Sequence, residues 1–224
     1  MRRYPIGRMR EKAQQSAAPL PLVLNAAGFD IIAELKLRSP AAGALRAPDE
    51  DIGNRVRRYA TAGAVAVSVL TEPSEFQGEL AHLELTGRAL LPAGIPAMRK
   101  DFLVDPYQVA EARAAGAGGV LVILRMLARD ELQALRAEAE RWGLFVLLEA
   151  FDETDIELAH ELVSGYRESP NPTVLVGVNC RDLGTLQVVP ERLERLAPLL
   201  PRGVPRVAEM YGFLSEPGFA GSMN

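Results

Sequence analysis

Pro96-Ala97-Met98-Arg99-Lys100-Asp101-Phe102-Leu103-Val104-Asp105-Pro106-Tyr107-Gln108 carries a strand, a turn and the start of a helix in one short stretch. The run from Pro96 to Lys100 is apolar until its end. Pro106 suits the first helical turn, where its missing N–H costs nothing, and Gly116 suits the residue just past a helix over Pro106 to Ala115. Strand side chains alternate, so Lys100 shares a face with Met98 and Phe102 while Arg99 and Asp101 take the other.

Outward from this unit the same pair recurs. Further strands are expected at Ile31–Leu35, Ala64–Leu70, Gly119–Leu124, Leu144–Glu149, Thr173–Val178 and Val204–Glu209. Helices are expected at Asp49–Ala62, Glu79–Leu90, Arg129–Trp142, Asp152–Ser164 and Pro190–Ala197. Several strands are apolar on both faces, as strands in a covered parallel sheet are. A spacing of about 25 to 35 residues, one βαβ unit, allows an open doubly wound sheet or a closed barrel. An open sheet gathers its chemistry at one switch point, whereas a barrel spreads it over many strand ends. Polar residues follow nearly every apolar run: Glu34 and Lys36, Thr71, Lys100, Glu149, Asn179 and Arg181, then Glu209. That distribution favours the barrel.

The chain has 224 residues with 25 Lys plus Arg against 29 Asp plus Glu, a net charge of −4. This argues against a nucleic-acid binder, which needs a basic surface. A hydrophobic fraction of 48% with 24% charged residues describes an ordinary globular chain able to bury one core. The single cysteine, Cys180, excludes an internal disulfide and fits a reducing, cytoplasmic setting. No apolar stretch approaches the roughly 20 residues of a membrane span. Arg2, Arg3, Arg8, Arg10 and Lys12 ahead of the apolar Pro19–Leu24 weakly suggest a targeting peptide, but the expectation for residues 1–29 is a solvated N-terminal arm.

Candidate chemistry starts with Glu34 and Lys36, which point the same way from one strand end. A surface ion pair, contributing little, would look the same. Lys100 beside Met98 and Phe102 is either a snorkelling lysine or an ammonium whose apolar neighbours suit it to proton transfer. Glu149 shares its face with Phe145 and Leu147, surroundings in which a carboxyl resists ionisation. Asn179 can donate and accept without changing charge. Each signal is weak alone, and recurrence at equivalent positions strengthens them. His82 and His160 read as surface histidines, Cys180 as a packing residue, and Arg125 as a cation that either meets an anionic substrate or, the favoured reading, reaches water.

Ordered motifs also carry a resemblance. Ile32-Ala33-Glu34-Leu35-Lys36-Leu37-Arg38-Ser39-Pro40, Ser68-Val69-Leu70-Thr71-Glu72 with Phe76-Gln77-Gly78, Arg99-Lys100-Asp101-Phe102 with Asp105-Pro106-Tyr107-Gln108, Glu149, Gly177-Val178-Asn179-Cys180-Arg181-Asp182-Leu183 and Val207-Ala208-Glu209 resemble successive motifs of indole-3-glycerol-phosphate synthases. The likeness covers Asp30 to Glu209. It implies a TIM (β/α)8 barrel of the phosphate-binding type over residues 30–211. The implied reaction converts a carboxyphenylamino-deoxyribulose phosphate to indole-3-glycerol phosphate with loss of carbon dioxide and water, as a step of tryptophan biosynthesis.

The resemblance also implies roles. Lys100 is the general acid of ring closure, Glu149 and Glu34 serve the dehydration, Lys36 meets the anionic groups and Asn179 positions the reacting part. Ser39, Arg181 and Glu209 support substrate binding, and Phe76 and Phe102 pack against the aromatic ring. The implied partner is a phosphorylated small molecule, with no metal or organic cofactor, no nucleic acid and no membrane. Two departures qualify it. Glu209-Met210-Tyr211 stands where the family has small residues after the glutamate, and Gly212 to Asn224 read as an atypical tail. The expectation is therefore a barrel lacking its last βα unit, with an edge open to association. An impaired remnant or a non-enzymatic subunit of the same family is the alternative reading.

Overall fold

Strands apolar on both faces need cover on both: a helix after each of the first six strands covers one face, and the strands' own side chains fill the concave one. The computed structural model describes residues 4–25, 28–40, 43–45, 50–164, 174–182 and 184–209. Among them, seven parallel strands run in chain order: β1 (Ile31–Leu35), β2 (Ala64–Leu70), β3 (Ala97–Lys100), β4 (Gly119–Ile123), β5 (Phe145–Ala150), β6 (Val174–Asn179) and β7 (Arg206–Glu209). The helices are α1 (Ile6–Gln15), α2 (Ile52–Thr61), the single turn α3 (Pro73–Phe76), α4 (Leu80–Leu90), α5 (Pro106–Ala114), α6 (Arg129–Arg141), α7 (Glu153–Ser164) and α8 (Glu191–Leu196). All seven expected strands and six expected helices are present, with ends moved by a few residues. The architecture is that of a TIM barrel. The expectations about Met210 to Asn224 lie outside the described residues.

Alternation divides the core in two. Val67 and Val69 of β2, Val120 and Val122 of β4, and Val146 and Leu148 of β5 face the helices. Their neighbours Ala66, Met98, Leu121, Phe145, Leu147 and Leu175 fill the concave side. On that inner side the chain turns polar at the carboxyl end of most strands: Ile32 gives way to Glu34, Met98 to Lys100, Leu147 to Glu149, Gly177 to Asn179 and Val207 to Glu209. The two-residue period therefore delivers five polar side chains to one end of the sheet.

The N-terminal segment corrects the expectation of a solvated arm. Helix α1 lies on α5, burying Met9 and Ala13, with Met9 against Tyr107 and Ala110. Leu22 belongs to the cluster inside the sheet. Arg10 forms a two-pronged pair with Glu138 of α6, at 2.9 and 2.6 Å, and the Trp142 indole donates to the same carboxylate at 2.8 Å. Burial works to raise the Glu138 pKa, but the Arg10 and Trp142 hydrogen bonds outweigh it and hold the group below its usual value. A lowered folded pKa stabilises above the unfolded value and is lost as pH falls through the folded one. Glu138→Ala strands both donors and is expected to cost about 1–3 kcal/mol in urea unfolding at pH 7. The gap should narrow in acid; equal midpoints at pH 7 would refute this.

Arg125 is exposed, as expected, and it also pairs with Asp152 and Asp155 and lies over the Phe151 ring, 4.6 Å from its centroid. Asp155 also accepts from the Phe151 N–H at 2.8 Å, so this cluster ties the end of β4 to the turn after β5. No helix among the described residues is long and apolar enough to cross a membrane.

Candidate active site

Lys100 occupies the centre of the polar end. Its Nζ is 2.5 Å from Glu209 Oε2, 3.3 Å from Glu149 Oε1 and 3.9 Å from Glu34 Oε2. Three carboxylates from three other strands thus surround one ammonium, which is ion-paired rather than set among apolar groups alone. Glu34 Oε1 meets Lys36 Nζ at 2.8 Å, as their shared face requires. The Asn179 amide donates to Glu149 Oε1 at 2.9 Å, and its own carbonyl oxygen accepts from the Arg181 N–H at 2.8 Å.

Burial separates these carboxyls from ordinary surface groups. Glu149 is 2% exposed. Burial, then the neighbouring Glu149 charge, pushes the Glu209 carboxyl up from 4.5 to about 8 against the pull of Lys100. Lys36 and Lys100 thus face Glu34, Glu149 and Glu209 across the cleft floor. Gly177 helps make this arrangement possible, because a Cβ there would come within 3.4 Å of Glu209 Oε1 and 3.1 Å of Leu147.

Nine of the ten sequence-derived candidates line one cleft. Glu34, Lys36, Lys100, Glu149 and Asn179 form its polar floor, and Ser39, Phe76, Phe102 and Arg181 stand around it. Glu209 joins through its contact with Lys100. Leu121, Ile123 and Leu186 add an apolar wall. The cleft suits a flat aromatic group over a site for proton transfer.

The rim is held by groups the sequence reading left without roles. Glu72 accepts from the backbone N–H groups of Ser74 and Glu75 at 2.8 and 2.7 Å and of Phe76 at 3.4 Å, which fixes α3 and the place of Phe76. Burial opposes ionisation of Glu72, but these amides hold its pKa below the usual value. A Cβ at Gly78 would collide with the Leu70 carbonyl, so only glycine lets this turn close on β2. A carboxylate just before Pro73 was the available cap signal. Beyond Lys100, Asp101 accepts from Thr71 Oγ1 at 2.6 Å and Arg99 Nη2 at 2.9 Å. Gln108 accepts from the Val104 and Asp105 N–H groups and donates to the Phe102 carbonyl. The Asp-Pro-Tyr-Gln block is thus a brace for the loop carrying Phe102.

The family model for indole-3-glycerol phosphate synthase matches residues 3–212. The chain belongs to the indole-3-glycerol phosphate synthase family. Relatives bearing that name include proteins from a Parafrankia species, 46% identical over 84% of this chain and 65% of the relative, and from a Nocardioides species, 44% identical over 85% and 68%. Another, from Mycobacterium ulcerans, is 40% identical over 91% of this chain and 72% of its own. The chain therefore spans about two thirds of the length of these synthase relatives. Among solved structures it is similar to two dihydropteroate synthase structures from Thermus thermophilus, with TM-scores of 0.54 and 0.56. Both are 18% identical over 83% of this chain, covering 72% and 73% of theirs, which is a likeness of fold alone.

The two histidines stay apart from the cleft. His82 accepts from the Glu79 N–H at the start of α4, and His160 contacts the Leu199 carbonyl. Cys180 is buried, and burial raises its pKa.

Proposed function

We infer that the protein closes the indole ring of 1-(2-carboxyphenylamino)-1-deoxyribulose 5-phosphate, releasing carbon dioxide and water to give indole-3-glycerol phosphate. The observation that carries this is the Lys100 ammonium held among Glu34, Glu149 and Glu209 on the floor of a cleft walled by Phe76, Phe102 and Leu186.

The substrate's aryl ring lies between the aromatic and aliphatic walls. Its ring carbon attacks the keto carbon while Lys100 gives a proton to the developing alkoxide, and the carboxylate departs as carbon dioxide. Lys36 orients the anionic groups from beside Glu34. In the dehydration, one of Glu149 and Glu34 supplies the proton that lets the hydroxyl leave as water, and the other accepts the proton the new ring gives up. Asn179 holds the reacting carbons against Glu149, with Ser39 and Arg181 supporting the substrate at the rim. Glu209 accepts from the Lys100 ammonium and holds it from behind. The setting is the cytoplasm, within tryptophan biosynthesis, and the partner is a phosphorylated small molecule.

The test is direct. Purified protein mixed with the carboxyphenylamino substrate is expected to produce indole fluorescence that grows with enzyme concentration. Folded protein that yields no product would leave the remnant reading in place of this one.

A further inference from the structure

The Glu149–Asn179 contact joins two strands, and one guanidinium outside the cleft touches the ends of both. Arg192, in the first turn of α8, is 9% exposed. Its Nη1 donates to the Asn179 carbonyl at 2.9 Å and to the Arg181 carbonyl at 3.2 Å, and its Nη2 reaches Asp182 Oδ2 at 3.4 Å. The same guanidinium lies 5.8 Å from the centroid of Phe151, two residues past Glu149. Asp182 in turn accepts from the Gly184 and Thr185 N–H groups at 3.0 and 2.8 Å. That turn brings the Leu186 carbonyl to Arg181 Nη1 at 2.6 Å and leads Leu186 into the cleft wall.

We propose that Arg192 is a positioning residue that fixes the end of β6 against the end of β5 and thereby holds the Asn179 amide on Glu149. The inference rests on the activity proposed above. Arg192 is not among the cleft residues, so its effect passes through Asn179 and Arg181. The role needs a guanidinium: its planar fork serves two carbonyls and a carboxylate while its face lies on a ring, whereas an ammonium is a point charge that cannot do both. Catalysis is sensitive to such placement, because a displacement of about 1 Å at a reacting group costs about 100-fold in rate.

The test is a double-mutant cycle on the full chain, comparing wild type, R192M, N179A and R192M/N179A, with R192K alongside. Thermal melting of each variant is recorded in parallel. R192M is expected to lower kcat by about 10- to 100-fold with a smaller change in KM, and R192K to recover part of the loss. In the N179A background the R192M change should cost less than about threefold, since the group it acts through is already gone. A purely structural arginine would instead lower activity equally in both backgrounds. Equal losses, or R192M within about twofold of wild type, would overturn the inference. If R192M does not fold, the same cycle is read with R192K. A silent wild-type enzyme marks failure of the proposed activity, and the inference falls with it.

Discussion

Lys100→Met is expected to lower kcat by about 100- to 10,000-fold, the range associated with removing a positioned general acid. Lys100→Arg should be nearly as damaging, because a guanidinium keeps its charge but does not release its proton. The reason lies in the crowding around Nζ. Glu209 at 2.5 Å, Glu149 at 3.3 Å and Glu34 at 3.9 Å orient the ammonium from three sides, so its proton is aimed rather than free to turn. Removing the cation also leaves Glu149 and Glu209 without the ammonium that binds both. The pull of Lys100 that opposes burial at Glu209 is then lost, so the Glu209 carboxyl rises further and the variant should lose more stability at pH 8.5 than at pH 6. Turnover followed by indole fluorescence and urea unfolding at the two pH values measure both effects. A Lys100→Met enzyme within about tenfold of wild type would remove Lys100 from the chemistry.

What could be read from the chain before its structure follows the range of the interactions involved. The seven strands were legible because each is a short apolar run ended by its own glycine, proline or polar residue. The shared face of Glu34 and Lys36 was legible because strand alternation is local, and it places their head groups 2.8 Å apart. Helix α1 was not. Its residues are mostly charged or polar, only Met9 and Ala13 are buried, and Glu138, which pairs with Arg10, lies 128 positions along the chain. The ion pairs of Arg125 were hidden for the same reason, since the two aspartates that hold it follow it by 27 and 30 residues. Arg192 sends no local signal, because two of its partners are carbonyls, which every residue has, and the Asp182 carboxylate and Phe151 ring lie outside its own helix. The Lys100 environment was half legible: alternation gave its face, but the carboxylates on it come from strands distant in sequence.

Glu209 is the extreme of that dependence, and its protonation makes stability depend on pH on the alkaline side. Its carboxyl sits at about 8 in the folded protein because of burial and Glu149, against an ordinary value of 4.5. Between those values the folded protein keeps a proton that the unfolded chain has released. Stability therefore falls as pH rises across that window, is free of this cost below about 4.5, and bears it in full above 8. Glu209→Gln keeps the shape and a hydrogen-bond donor but cannot ionise. The variant should be close to wild type in stability at pH 5 and more stable by about 2 kcal/mol at pH 9, where one pKa unit corresponds to about 1.4 kcal/mol and sharing the charge with Glu149 and Lys100 reduces the full sum. Expressed as melting temperature, the gap at pH 9 is about 4–8 °C for a chain of this size. A proton held by Glu209 would also make wild-type turnover decline on the alkaline side of pH 8, and Glu209→Gln should lack that limb. Melting curves of both proteins from pH 5 to 9 decide the point: parallel curves would mean that Glu209 is already ionised beside Lys100.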